Sequence, residues 1–373
     1  MRRFLATALT LATITANAPA AEWHLANDQL IDATGEAPSL WGKTIAYTDG
    51  QGGAVMYFDG STSHYIYGPS SNGWEPANAH GSIAWRNSFV SGDQGSNDIL
   101  RWNGVFPVAV QNVSNSAGVL DADLDAAGNG DLIWSRNNLS LRYYDASASS
   151  VLTLGINGVQ PSVYVTDTGV ATYAWQDPST DEVWYFDGSV THDLGPGDDD
   201  GAHPHVWDGA VAWIGEGVGM FFTESEVFFW KNGQTTRVTN DDGVGGIADL
   251  DPQVWNDRVL WSRRAEGPFN PSQLYIWDGV ETTKLTSTTG RTPSFHNGHV
   301  AWVDLDGLHL AAVVGPGDCN EDGHLDYADL GNFVGCLTGP EAAMHSGCDC
   351  FDLDDNQAID LADFAEIQRL FAD

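Results

Sequence analysis

The chain has 373 residues, with 51 Asp and Glu against 15 Lys and Arg, a formal charge of −36 and a pI near 4.2. That surplus of negative charge repels phosphate backbones and anionic lipid, which argues against nucleic acid and membrane surfaces as partners. With 42% apolar residues, 15 Trp and 18% charged residues, the chain is too aromatic for an acidic disordered protein. It is long enough for one large β domain and a small second one.

Residues 1–20 read as a secretory signal peptide. Arg2 and Arg3 precede an apolar stretch from Phe4 to Ile14, and Ala18-Pro-Ala20 supplies the small-x-small cleavage pattern. No later run is long enough to span a bilayer. The expectation is an exported protein, extracellular or at the cell surface, without membrane insertion.

Residues 21–314 repeat one pattern: a short strand, a polar turn and a second strand closed by an aromatic. It is plainest in His205-Val-Trp-Asp-Gly-Ala-Val-Ala-Trp213, Gln253-Val-Trp-Asn-Asp-Arg-Val-Leu-Trp261 and Ser294-Phe-His-Asn-Gly-His-Val-Ala-Trp302. The closing aromatic recurs at Tyr47, Trp85, Trp134, Trp175, Trp213, Trp261 and Trp302, in steps of 38 to 49 residues. A second turn follows the first six of these, as in Tyr185-Phe-Asp-Gly188, so each repeat holds about four strands. Pro38, Pro76, Pro161, Pro204, Pro252 and Pro293 open six of the seven, where no ladder donor is needed; the third lacks a proline and is the most degenerate. Four-stranded units near 40 residues predict an all-β fold, a seven-bladed or alternatively six-bladed β-propeller. The last repeat is short of an outer strand, and Asp28–Gly35 is predicted to complete it from the N-terminus, removing a free edge. Over residues 22 to 314 this pattern resembles the TolB-like family of propellers.

Most of the Trp residues belong to the repeat and are expected to pack the blades, leaving Trp23, Trp74 and Trp184 as freer candidates for sugar stacking. The residues flanking each proline should line a central channel. Glu75, His203 and Asp251 are the candidate catalytic groups there, two carboxylates and an imidazole suited to acid/base work or a metal. The plainer reading is a hydrated channel wall, because no hydrolase or phosphate-loop motif accompanies them. His80 and His296 are expected in solvated hairpin turns.

Residues 315–373 hold 14 of the 51 acids, one of the 15 bases and all four cysteines. Cys319, Cys336, Cys348 and Cys350 read as two local disulfides stapling a small domain; a Cys348–Cys350 bridge would be strained, which leaves two pairings open. A zinc site is the weaker alternative, for want of paired C-x-x-C knuckles. Asp318, Asn320, Asp322, His324 (through its carbonyl), Asp326 and Asp329 stand at positions 1, 3, 5, 7, 9 and 12 of a calcium loop, with Gly323 at position 6. Asp352, Asp354, Asn356, Ala358 (carbonyl), Asp360 and Asp363 repeat the spacing, with Gln357 in place of the glycine. Apolar stripes, Leu330, Phe333, Val334 and Leu337 and then Leu361, Phe364, Ile367 and Phe371, predict a helix after each loop. The two loops with their helices, the run Cys336-Leu-Thr-Gly-Pro340 and the run Asp360-Leu-Ala-Asp-Phe-Ala365 together resemble the cysteine-bearing dockerins of exported planctomycete proteins. That resemblance implies a small α-helical C-terminal domain, Ca2+ as cofactor and a cohesin-like protein as partner.

The resulting expectation is a calcium-binding dockerin-like module anchoring a propeller that binds a polysaccharide or a protein. The alternative is a carbohydrate-active enzyme, a polysaccharide lyase or glycoside hydrolase, with its site in the propeller funnel.

Overall fold

The structure is a computed structural model, and it describes residues 23–50, 53–68, 73–88, 97–116, 118–198, 202–216, 225–240, 247–264, 271–287, 289–331, 333–337, 348–353 and 358–370. The signal-peptide reading, Asp354 and Asn356 lie outside them, as does the side chain of Trp74. The described chain divides into two compact units, one comprising residues 23–314 and 321–324, the other residues 315–320 and those from 325 onward.

The larger unit is a β-propeller of antiparallel sheets. Gly35–Trp41 begins the first, followed by Thr44–Asp49, Val55–Phe58 and Ser63–Tyr67. Three more four-stranded sheets begin with Gly73–Ala79, Asp121–Ala126 and Val159–Val165. The two ends of the repeat region combine in a fifth, ordered His24–Asp32, Gly307–Val314, His299–Asp304 and Arg291–His296. The closing strand, His24–Asp32, begins four residues and ends three residues before the segment expected, and pairs antiparallel with Gly307–Val314 from His24 opposite Val314 to Asp32 opposite Leu308.

The expectation of seven, or six, separate blades is overturned. Five sheets are self-contained four-stranded blades; the strands between His205 and Lys284 form one eight-stranded sheet. Its halves join through a parallel pairing of Ser225 with Ala248. A repeat count registers hairpins along the chain, whereas this junction is a lateral pairing with no local code.

Burial follows the repeat. All seven closing aromatics are buried, and most core clusters mix residues of neighbouring sheets: Ala46, Val55 and Ile66 meet Ile83, Trp85 and Leu100. Two buried carboxylates at matching places carry bidentate arginines, Asp121 with Arg136 (2.8 and 3.1 Å) and Asp249 with Arg263 (2.7 and 3.1 Å). Burial without those partners would be costly.

In the smaller unit the disulfides are Cys319–Cys350 and Cys336–Cys348, which settles the pairing left open above. Its helices are shorter than expected. The first stripe yields only two four-residue turns, Tyr327–Leu330 and Phe333–Cys336, and the second the ten-residue Leu361–Leu370. Phe333, Phe351, Ile359, Ile367, Cys336 and Cys348 form the core, while Val334 and Leu361 stay exposed. So small a core depends on its two covalent bridges.

Candidate functional site

One feature of the repeat builds the channel. The residue before each proline is left-handed: Ala37, Glu75, Gln160, His203, Asp251 and Thr292, joined by Asp123 in the repeat without proline, all have φ between 43° and 53°. Proline offers no N–H to the ladder and so suits a pair that leaves it as a bulge, although Asp123 and Leu124 bulge in the same way without one. Register shifts at Glu36/Ser39, Trp74/Ala77, Ala122/Asp125, Val159/Ser162, Leu250/Gln253 and Arg291/Ser294 mark it. The bulge frees backbone N–H groups on the channel side, and these need acceptors.

Side chains of the preceding repeat accept them. At the bulge, Glu75 Oε2 takes the Asp123 amide (2.9 Å), Asp123 Oδ2 that of Gln160 (3.2 Å) and Gln160 Oε1 that of His203 (3.0 Å). Two residues further along, Ser39 Oγ takes the Asn78 amide (2.9 Å), Asp125 Oδ2 that of Val163 (2.9 Å) and Ser162 Oγ that of Val206 (3.1 Å). His205 Nδ1 takes the Val254 amide (3.1 Å), and Ser294 Oγ, accepting from Leu40 (2.9 Å), returns the series to its start. The sequence places these polar groups in a channel; their first task is to hold neighbouring inner strands together.

The channel encloses a cavity of about 370 Å³ lined by the inner strands, Glu75, His203 and Asp251 included. Their situations differ. Glu75 is tied to Arg86 (2.9 Å) and the Asp123 amide; burial raises its pKa, with Arg86 opposing. The side chains of His203, Asp251 and Thr292 make no hydrogen bond among the described residues. Burial raises the Asp251 pKa and the charge of His203 works against it, so these two are neighbours.

At the far ends of the inner strands the wall turns aromatic. Trp41 stacks on His296 (4.1 Å between centroids, 29°) and lies 6.2 Å from Trp207, which in turn meets His296 edge-on (4.9 Å) and Tyr164 (4.7 Å). The Trp41 ring reaches across to Gly128, where a Cβ would come within 2.0 Å of it. His296 is not the solvated turn residue expected. It ends its strand, accepts the Gly42 amide at Nδ1 (2.8 Å), and burial lowers its pKa to about 3. Its Nε2 is buried without a hydrogen-bond partner among the described residues. Burial also lowers the His205 pKa, against the Asp125 carboxylate. Both imidazoles are therefore neutral near pH 7, with the proton on Nε2.

Sequence reading missed Asp123, Asp125 and the Trp41, Trp207 and His296 cluster. Counting two and four residues on from each proline-preceding position finds all of them once Asp123 is aligned with that set. Of the freer Trp candidates, Trp23 is engaged by Asp278 (3.2 Å) and Arg258 (4.8 Å to the ring centroid), and Trp184 packs partly into a sheet core.

In the smaller unit Asp318, Asp329, Asp352 and Asp363 are buried. Asp329 Oδ1 accepts from Cys319 (2.8 Å) and Asn320 (3.1 Å), and Oδ2 from Asp326 (2.8 Å). Asp363 does likewise with Leu353 and Asp360, at 2.8 Å each. The last carboxylate of each loop thus pins the loop's backbone from inside. An all-oxygen donor set of this kind suits a hard cation in chemistry. Among the described residues, no group of three or more His, Cys, Asp or Glu converges tightly enough to hold a metal.

No family model and no curated protein matches the chain. Solved propellers do. The β-propeller domain of the Trilobed protease from Pyrococcus furiosus aligns over 80% of this chain and 98% of its own, at 11% identity and a TM-score of 0.52. A streptogramin B lyase aligns over 79% and 98%, at 10% identity and 0.52. Virginiamycin B lyase from Staphylococcus aureus aligns over 79% and 100%, at 10% identity and 0.53. At these identities the likeness is one of fold alone.

Proposed function

We propose that this is an exported, calcium-binding protein whose dockerin-like C-terminal unit anchors it to an extracellular or cell-surface assembly, through a cohesin-like partner, while the propeller channel binds a glycan. The observation that carries the glycan reading is the sharing of one cavity by aromatic faces, Trp41 and Trp207, and by polar side chains left over from holding the fold, His203 and Asp251. Ring faces take the apolar face of a sugar and uncommitted polar groups take its hydroxyls. The calcium reading rests on the oxygen-rich loops beginning at Asp318 and Asp352.

Binding is favoured over catalysis because most polar groups of the channel are consumed by backbone amides. One observation supports the enzymatic alternative, the raised Asp251 carboxyl beside His203, an arrangement suited to a general acid. A lyase acting on uronates is disfavoured, since none of the described residues lining the cavity is Lys or Arg.

The test is a panel of neutral, acidic and amino oligosaccharides titrated calorimetrically into residues 21–373 with calcium, alongside mass spectrometry of polysaccharide digests. Saturable binding that weakens in Trp41→Ala supports the glycan reading. Oligosaccharide products that vanish in His203→Ala would establish the enzyme instead, and no binding by any member of the panel defeats both.

A further inference from the structure

The channel rim divides chemically. Among the described residues Glu75 is paired with Arg86, whereas Asp123, Asp125 and Asp251 have no Lys or Arg at ion-pair distance. Asp123 and Asp125 are nevertheless held by hydroxyls and amides: Ser135 (2.7 Å) and Gln160 on the one, Ser162 (2.8 Å) and Val163 on the other. Asp251 has neither. The series of carboxylate or amide side chains accepting the next repeat's amide runs Glu75, Asp123, Gln160 and stops at His203, so Asp251 inherits the geometry without the partner. A partly buried carboxylate lacking a hydrogen bond is costly, and the cost is relieved either by taking up a proton or by gaining a cationic partner.

We propose that the glycan bound in the channel carries a free amino group, protonated and paired with Asp251, so that the ligand class is an amino sugar rather than a uronate, a sulfated sugar or a fully acylated one. This rests on the glycan reading above and deepens it.

Three features converge on that class. Carboxylates in a confined channel concentrate positive charge and turn anionic ligands away, and a chain of charge −36 adds to that field. The two buried histidines contribute no opposing charge at neutral pH, because both pKa values are lowered. Trp41 and Trp207 present ring faces that attract both a sugar's C–H face and a cation. A neutral sugar would fill the same space but leave Asp251 unmatched; an ammonium supplies the missing charge and up to three donors.

The test compares oligomers of glucosamine with fully N-acetylated oligomers of equal length, by calorimetry on the calcium-loaded protein at pH 7. The expected result is tighter binding of the free-amine oligomer by about tenfold, the equivalent of one modest charge pair, with the gap narrowing at high salt. In Asp251→Asn, a residue that tolerates the left-handed backbone, the gap closes because the free-amine oligomer loses more affinity than the acetylated one. Equal or tighter binding of the acetylated oligomer by the unmodified protein overturns the inference and leaves the glycan reading standing. A gap that persists in Asp251→Asn also overturns it. Binding of neither oligomer, nor of any other glycan, by a protein with native circular dichroism overturns both.

Discussion

His309 Nδ1 lies 2.8 Å from Asp28 Oδ1 across the pairing that joins the two ends of the propeller, and its Nε2 lies 2.9 Å from Asp306. Burial opposes charge on this imidazole, but the two carboxylates outweigh it and the pKa is raised. A raised folded-state value means that the contribution is complete below the unfolded pKa near 6.5 and is lost as pH rises through the folded one. His309→Gln is expected to lower the melting temperature by about 2–4 °C at pH 6, taking the pairing as roughly 1 kcal/mol, and by clearly less at pH 9. Equal losses at both pH values would show that the charge has no part in closure.

The inner-strand hydrogen bonds predict an unequal response to small substitutions. Ser162 is buried, accepts from Val206 and donates to Asp125, so Ser162→Ala leaves the Val206 amide without its acceptor, removes one donor from Asp125 and is expected to cost about 1–3 kcal/mol in urea unfolding. Thr292→Ala, which breaks no hydrogen bond, should stay within about 0.5 kcal/mol of the parent. Similar losses for the two would contradict the role given to Ser162.

Gly128 tests the aromatic wall. Gly128→Ala drives a methyl group into the Trp41 ring, so the indole must move. The expected outcome is a changed near-ultraviolet circular dichroism spectrum and glycan affinity reduced by about tenfold or more, an estimate for losing one ring contact of roughly 1.5 kcal/mol. Unchanged affinity would remove Trp41 from the binding surface.

His205 and His296 make the propeller acid-sensitive. Their pKa values are lowered in the fold, so above about pH 6.5 they are neutral folded or unfolded, and below it the unfolded chain binds more protons. Each such histidine costs about 1.4 kcal/mol per pH unit below that point until its folded pKa is reached. His296→Gln, which still offers the Gly42 amide an acceptor, should flatten the loss of stability between pH 6 and pH 4; an unchanged slope would place the sensitivity elsewhere.

Calcium binding predicts a titratable increase in helix signal. Asp318→Ala combined with Asp352→Ala should abolish the rise in far-ultraviolet circular dichroism that calcium produces in the unmodified protein. A titration unchanged by the double substitution would defeat the calcium-loop reading.

The sequence displays the propeller through its aromatics and prolines because both are dictated locally. An aromatic closes each hairpin for packing, and a proline sits where the ladder needs no donor. The same prolines point to Glu75, His203 and Asp251. Asp123 escaped because Leu124 stands where the other repeats have proline, although the backbone bends there in the same way. His296 was misplaced because a histidine beside Asn297-Gly298 reads as part of a turn, while its buried state depends on Trp41, distant in sequence. The eight-stranded sheet is equally illegible, since Ser225 and Ala248 carry no mark that they will pair.

The union of His24–Asp32 with Gly307–Val314 also sets an order of events during synthesis. The strand made among the first must wait for one made among the last of the propeller, and until residue 314 leaves the ribosome the strand His24–Asp32 has an unpaired edge. Ring closure therefore cannot precede synthesis of Gly307–Val314, and the ring that encloses the channel is incomplete until then.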